Sequence, residues 1–177
     1  MALREIRTIG DPILEKRSKE VTRITDRTEE LIDDMLETLY NENGVGLSAV
    51  QVGVLKRIVI IDVSEDGDDP IVMINPVIKE TDGEQDGYEG CLSVPGKTGK
   101  VVRPNHVVVE FLDEDMQPQT MEGEEVFARC VCHELDHLEG KLYVDLVEGP
   151  LQDMEDVQND DDEEEDGRLN KRRKKRH

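Results

Sequence analysis

The chain has few aromatic residues and no tryptophan. Its 177 residues include three tyrosines and two phenylalanines, or 3% of the composition. Because aromatic side chains usually supply much of a domain's buried surface, the core must consist mainly of aliphatic side chains and methionine. A chain of this length corresponds to one domain of ordinary size and needs no disulfide merely to fold.

The sequence also lacks a long hydrophobic run and an excess of basic residues. No stretch approaches the roughly 18 apolar residues of a membrane-spanning helix, and the first residues do not resemble a secretory signal. Lysine and arginine number 22 against 43 acidic residues, giving a formal net charge of −21. Such a surface repels phosphates and anionic lipids. We therefore expect a cytoplasmic protein with neither DNA nor a membrane as a partner.

The end of the chain is almost devoid of apolar residues. Ten acidic residues lie between positions 153 and 166, and seven basic residues between 168 and 176. Such blocks contribute little to a core. We therefore predict a folded domain over residues 1–152 and a disordered tail over 153–177. The basic block is a candidate for contact with the ribosome through its RNA; the alternative is a solvated tail whose two blocks neutralise each other.

The hydrophobic pattern of the body predicts an α+β domain. Helical spacing after Thr25 predicts an N-terminal helix that Gly44 ends, and the helical pattern resumes over 124–138 before Gly140. Between them, β-branched runs predict four strands, at 57–63, 71–78, 101–112 and 119–126. We expect antiparallel sheets packed around the late helix, together with the N-terminal helix.

The late helix carries the most informative pattern, the His-Glu-Leu-Asp-His run at 133–137. His133 and His137 are four residues apart and share one helical face, so both imidazoles can bind one divalent ion. Glu134 would lie beside the open side of that ion, where it can accept a proton from water. Imidazole suits zinc, iron, nickel or cobalt. A catalytic site of this kind needs a third protein ligand.

Two cysteines are candidates for that ligand. Cys130 lies three residues before His133 and can share its face, whereas Cys132 points about 100° away and is expected to pack. Cys91 stands in a Glu-Gly-Cys-Leu-Ser segment, where glycine allows close approach of the backbone to a ligand. An odd number of cysteines does not indicate a disulfide framework. The spacing leaves Cys91 and Cys130 equally open, and either could be a small buried residue.

A third segment, Gly-Val-Gly-Leu-Ser-Ala-Val-Gln at 44–51, combines glycines and small residues with one amide. It has neither the lysine of a P-loop nor the glycine spacing of a dinucleotide-binding motif, so it does not indicate phosphate binding. It favours exposed backbone beside a ligand, with Gln51 as a donor. The alternative is a buried turn with an incidental glutamine.

Together these segments resemble peptide deformylase. That family carries a glycine-rich stretch ending in glutamine, a Glu-Gly-Cys-Leu-Ser box and a His-Glu-x-x-His helix, in the order found here at 44–51, 89–93 and 133–137. The likeness covers essentially residues 1–150. Three positions depart from the residues more common in the family. Ser48 stands where alanine is more common, Val50 where proline or threonine is more common, and Cys132 where glutamine is more common.

The resemblance implies a metal-dependent hydrolase that removes the formyl group from the N-formylmethionine of new bacterial proteins and releases formate. It implies three metal ligands: Cys91, His133 and His137. It implies ferrous iron as the usual ion, with zinc, nickel or cobalt as substitutes. The implied catalytic and substrate-binding groups are Glu134 as base and acid, Gln51 and the Leu92 backbone N–H as oxyanion donors, and the Gly46 backbone as a peptide contact. Arg103 and Asp136 are expected to orient ligands or to be structural, and Glu89 and Ser93 are expected to be structural.

Two other functions are compatible with the residues alone. A zinc endopeptidase of the His-Glu-x-x-His type would need a ligand downstream of His137. A non-enzymatic, zinc-stabilised binding module would use Cys130, Cys132 and the two histidines, and four protein ligands would leave no open position.

Overall fold

The computed structural model describes residues 2–155. Within them the chain forms two α-helices, α1 (Asp26–Asn41) and α2 (Val126–Leu138). It also forms eight strands: β1 (Gly46–Ser48), β2 (Ile58–Ile61), β3 (Ile71–Asp82), β4 (Gln85–Cys91), β5 (Val94–Arg103), β6 (His106–Leu112), β7 (Pro118–Glu124) and β8 (Gln152–Asp153). Three short 3₁₀ turns occur at Pro12–Glu15, Ala49–Val52 and Tyr143–Asp145.

The strands form two antiparallel sheets. Five strands, in the order β1-β2-β3-β6-β7, make the larger sheet, and β4-β5-β8 make the smaller. Side chains alternate across β2, so Ile58 and Ile60 join the core under α1, while Val59 and Ile61 join the core under α2. The two helices therefore cover opposite faces of the larger sheet, which confirms the predicted α+β class.

Helix α1 follows the sequence pattern closely. Thr25 caps it, accepting a hydrogen bond from the Thr28 backbone N–H. Its buried face carries the apolar residues that are spaced by three and four: Leu31, Ile32, Met35 and Leu39. Neither this helix nor α2, within residues 2–155, is long and apolar enough to cross a membrane.

One predicted strand was wrong. The run 101–112 divides at Pro104 into the end of β5 and all of β6, which belong to different sheets. Proline lacks the N–H that a continuous ladder needs and its ring restricts the preceding residue. The sequence pattern also missed β1 and β4, because β1 is short and β4 is rich in glycine and charge.

The first residue of the predicted tail, Asp153, belongs to the short strand β8. Asp153 ends β8 and pairs with Lys97 of β5, and their side chains form an ion pair. The chain therefore extends the smaller sheet slightly beyond the predicted boundary. The rest of the predicted tail, residues 156–177, lies outside the described residues.

Gly140 ends α2 and lets the chain turn back against the N-terminal segment. Its φ of +75° is a left-handed conformation, and a β-carbon there would lie 2.4 Å from the Glu15 carbonyl oxygen. The following residue, Lys141, donates its N–H to the Asp136 carbonyl across this turn. A side chain at position 140 would therefore meet both backbone strain and a steric clash.

We expect Gly140→Ala to lower the free energy of unfolding by roughly 2–4 kcal/mol, because strain and overpacking add. Gly149→Ala is the matched control, since Gly149 also has a positive φ but nothing lies within 4 Å of its added β-carbon. Only the strain of about 1–2 kcal/mol should apply there. Urea unfolding of both variants measures the difference. Equal losses would show that contact with Glu15 does not matter.

Candidate active site

Helix α2 places the two histidines one turn apart on its buried face. His133 and His137 are both buried, and their rings meet edge to face with centroids 5.0 Å apart. Their Nε2 atoms are 3.3 Å apart, so both point to the same place. The ring of Tyr143 stacks on the other side of His133 at a centroid distance of 5.9 Å. The predicted pairing of imidazoles at one point is thus present in the fold.

Strand β4 ends at Cys91, which brings its thiol to the same point. Cys91 Sγ lies 3.4 Å from His137 Nε2, and one donor atom from each of the three residues lies within 4.8 Å of the others. Cys130 is instead buried against β1, where its Sγ lies 3.8 Å from the Val45 carbonyl oxygen. Burial raises the pKa of the Cys130 thiol well above its usual value. Cys132 packs in the core under α2, as expected.

The three convergent donors fit a divalent metal ion. Donors bound to one tetrahedral ion at roughly 2.0–2.3 Å lie about 3.3–3.8 Å from each other. The two separations given above, 3.3 and 3.4 Å, fall in this range. Burial lowers the pKa of His137 well below its usual value, and the charges of His133 and Arg103 lower it further. A lowered pKa favours the neutral imidazole, which is the form that binds a metal.

Glu89, which the sequence suggested to be structural, directly orients a histidine. The Nδ1–H of His133 donates to Glu89 Oε1 at 2.8 Å, which places the other ring nitrogen, Nε2, toward Cys91 and His137. Arg103 donates to both oxygens of Glu89, and Arg129 donates to Oε2 at 2.6 Å. The carboxylate is thus saturated with donors.

These donors decide the charge of Glu89. Burial alone would raise its pKa, but the hydrogen bonds and charges of Arg103 and His133 lower it to about 2. Arg103 also donates to Asp136 at 2.7 Å, so both residues belong to the hydrogen-bond network that includes Glu89 and His133. Burial would lower the pKa of Arg103, yet its two carboxylate partners raise it. An ion-pair network therefore fixes the ring of His133.

The 3₁₀ turn after β1 directs the amide of Gln51 toward Cys91. Gln51 Oε1 accepts the Ser48 backbone N–H at 2.9 Å, so the amide nitrogen must face the other way. That nitrogen donates to Ser93 Oγ at 3.1 Å and lies 3.5 Å from Cys91 Sγ. The structure thus places a buried amide donor beside the thiol.

Glu134 lies between helix α2 and strand β1. Its Oε2 accepts a hydrogen bond from Ser48 Oγ at 2.8 Å, and a β-carbon on Gly46 would lie 2.7 Å from its Oε1. A side chain at position 46 would therefore crowd Glu134 and Cys130. Burial raises the pKa of Glu134, while the charge of His133 and the Ser48 hydrogen bond act in the opposite direction.

A cleft of about 660 Å³ opens over these groups. Its lining includes the catalytic candidates Gln51, Cys91, His133 and Glu134, along with Gly46 and Leu92. Leu92 is partly buried, and its side chain packs against the core under α1. The volume suits a short peptide segment or a small ligand.

Comparison with known proteins decides the family. The model of the family described as polypeptide deformylase matches residues 3–152. The chain belongs to this family. It is a metal-dependent hydrolase that acts on the formyl group of newly made polypeptides, as the resemblance implied. The comparisons support this function over the endopeptidase and the zinc-stabilised binding module.

Individual deformylases are similar along most of their length. A peptide deformylase from Agathobacter rectalis is 63% identical over 160 residues, covering 89% of this chain and 99% of the relative. The crystal structure of a peptide deformylase from Legionella pneumophila has a TM-score of 0.80 at 42% identity, covering 83% of this chain and 87% of that one. The deformylase of Synechococcus elongatus, solved in complex with actinonin, has a TM-score of 0.78 at 41% identity, with 82% and 79% covered.

Sequence reasoning missed two contributors to this deformylase site. Glu89 lies two residues before Cys91 in the same box, and a strand period of two would have placed both side chains on one side. No local pattern pointed to Ser48, because its partner Glu134 is 86 residues away.

If Cys91 is a ligand, Cys91→Ala should abolish metal retention, because two imidazoles alone hold a divalent ion weakly. Cys130→Ala is the matched control: it should keep the metal and lower the free energy of unfolding by roughly 1–2 kcal/mol as a small core truncation. Metal analysis of both proteins, purified without oxygen, tests the assignment. Loss of metal from the Cys130 variant alone would contradict it.

Proposed function

We propose that this deformylase hydrolyses the formyl amide with a metal held by Cys91, His133 and His137. The observation that carries the proposal is the meeting of one thiol and two imidazole nitrogens beside the Gln51 amide, at a cleft that Glu134 also lines. When bound, a divalent ion supplies Lewis acidity, which makes water nucleophilic at neutral pH and polarises a carbonyl oxygen.

Glu134 serves as the acid–base group. Its carboxylate accepts a proton from the attacking water as the new C–O bond forms at the formyl carbon. The same carboxyl then delivers that proton to the departing amine as the C–N bond breaks, which leaves formate and a free amino terminus. Burial beside His133 keeps the group close to the reacting atoms and away from bulk water.

The developing oxyanion needs donors that are already in place. The side-chain oxygen of Gln51 accepts the Ser48 N–H. Its NH₂ group therefore already faces Cys91 and does not need to reorient. The backbone N–H of Leu92, directly after Cys91, is the second donor. Such preorganised donors stabilise the transition state more than the ground state. The Gly46 backbone offers hydrogen bonds to the substrate peptide along the cleft.

We propose ferrous iron as the bound ion in the cell. Support comes from the resemblance stated above and from the donor set, since one thiolate and two imidazoles suit iron and also zinc, nickel and cobalt. The chemistry of the residues is the same for each of these ions. The ions differ in their sensitivity to oxidation, and ferrous iron is the most readily oxidised of them.

We expect Glu134→Gln to retain the metal and lose the chemistry. Glutamine is nearly isosteric, so the helix and both histidines should stay in place, but it cannot accept or return the proton. Loss of a positioned acid–base group costs about 10²- to 10⁴-fold in turnover. The assay is formate release from a formyl-Met peptide by protein purified without oxygen, alongside metal analysis. Parental turnover by a metal-loaded variant would rule out this role for Glu134.

We propose that the protein acts in the bacterial cytoplasm, where formylated chains are made, and that its basic block at 168–176 contacts ribosomal RNA. Seven positive charges there contrast with the acidic composition of the whole chain. Phosphate contacts of this kind weaken steeply as salt rises. Self-neutralisation by the acidic block at 153–166 is the competing interpretation.

Truncation after Glu155 separates these interpretations while keeping β8. If the tail contacts RNA, the full chain should sediment with ribosomes at low salt and release them as salt rises, and the truncated chain should not sediment. Turnover of a short peptide should be the same for both, since no tail residue beyond 155 is proposed to take part in catalysis. Equal sedimentation with and without the tail would overturn the proposed RNA contact of the tail.

A further inference from the structure

Ser48 contacts both proposed catalytic groups, through different atoms. Its backbone N–H donates to Gln51 Oε1, whereas its hydroxyl reaches Glu134. The side chain is completely buried at the end of β1. Any residue at position 48 except proline could supply the N–H, but only a hydroxyl-bearing side chain can supply the second contact.

The hydroxyl has two acceptors on Glu134, and the carboxylate is the better one. Ser48 Oγ lies 2.8 Å from Glu134 Oε2 and 2.9 Å from the Glu134 carbonyl oxygen. One hydroxyl has a single proton to donate. The carbonyl lies inside α2, where backbone N–H groups serve as donors. A charged acceptor also makes the shorter and stronger hydrogen bond, so the proton is directed to Oε2.

We propose that the Ser48 hydroxyl is a positioning group that holds the Glu134 carboxylate in its reactive orientation. This inference rests on the role proposed above for Glu134. A glutamate side chain has three rotatable bonds, and its terminal torsion is broad. A fixed donor on Oε2 restricts that torsion and leaves Oε1 as the oxygen that exchanges a proton with substrate and water.

The surroundings make this donor rigid. Ser48 pairs with Val59 in the larger sheet, and the Gln51 side chain holds its N–H. The other oxygen of Glu134, Oε1, lies next to Gly46, which has no side chain and so leaves room there. Within residues 2–155, the hydrogen bond to the Glu134 carboxylate is the one from Ser48 Oγ to Oε2. One oxygen of Glu134 is therefore fixed and the other is available.

The test is Ser48→Ala, which removes the hydroxyl and keeps the backbone N–H that orients Gln51. We expect kcat on a formyl-Met tripeptide to fall roughly tenfold, the order expected for losing one hydrogen bond to a charged group. KM and metal content should stay at parental values, because neither the cleft wall nor a ligand changes. Ser48→Thr, which restores a hydroxyl, should recover part of the lost kcat. Parental kcat in Ser48→Ala would overturn the proposal.

Ser18→Ala is the matched control for removing a buried serine hydroxyl. Ser18 is buried like Ser48, and its Oγ has no hydrogen-bond partner among residues 2–155. Its kcat, KM and metal content should equal those of the parent. A fall in kcat as large as that of Ser48→Ala would show that the loss does not depend on Glu134, and would count against the proposal.

A double-mutant cycle with Gln51→Ala identifies the group through which Ser48 acts. If the hydroxyl acts through Glu134, Ser48→Ala should lower kcat by the same factor with and without Gln51. A factor that disappears in the Gln51→Ala background would place its action on the glutamine and overturn the proposal. The outcome is distinct from failure of the proposed function, which Glu134→Gln tests separately: an inactive Glu134→Gln with a fully active Ser48→Ala would leave the general base intact and reject only the positioning role.

Discussion

A buried carboxylate joins the smaller sheet to helix α2 at the centre of the molecule. Glu89 of β4 accepts hydrogen bonds from Arg103 of β5 and from Arg129 and His133 of α2. Burying a carboxylate is costly, and removing one partner of such a pair typically costs about 3–5 kcal/mol because a charge is left uncompensated. Cys91 follows two residues later on the same strand, so this anchor also fixes the distance between the thiol and the imidazoles.

The second constraint is the close contact between β1 and α2. Gly46 has no side chain, which lets the strand approach Glu134 and Cys130. The residues that follow use this proximity: the Ser48 hydroxyl reaches Glu134, and the Ser48 N–H turns the Gln51 amide toward Cys91. One segment of eight residues thus provides both the space and the donors on this side of the cleft.

These two constraints act on different halves of the same reaction centre. The network around Glu89 orients His133, a proposed ligand, and the β1 segment holds Glu134 and the Gln51 amide, the proposed acid–base group and oxyanion donor. Both rely on buried hydrogen bonds whose partners come from distant parts of the chain. The donors are therefore held in place before substrate arrives, which is the condition under which electrostatic stabilisation of a transition state is effective.

The sequence by itself determined the elements with strong local patterns. The cap at Thr25 and the apolar spacing of α1 follow from local energetics, and so does the pairing of His133 and His137, because a helix period places residues four apart on one face. The resemblance of three ordered motifs also identified the family. Local spacing could not choose between Cys91 and Cys130, and it joined β5 to β6 across Pro104.

Tertiary structure decided what depends on contacts between distant segments. Only the end of β4 against α2 shows that Cys91, and not Cys130, meets the two histidines. Only the packing of β1 on α2 gives the Ser48 hydroxyl its partner, 86 residues away. Helix and strand periods fix which side a residue faces, but the partner it meets there is set by how sheets and helices pack, and that arrangement is a property of the whole fold.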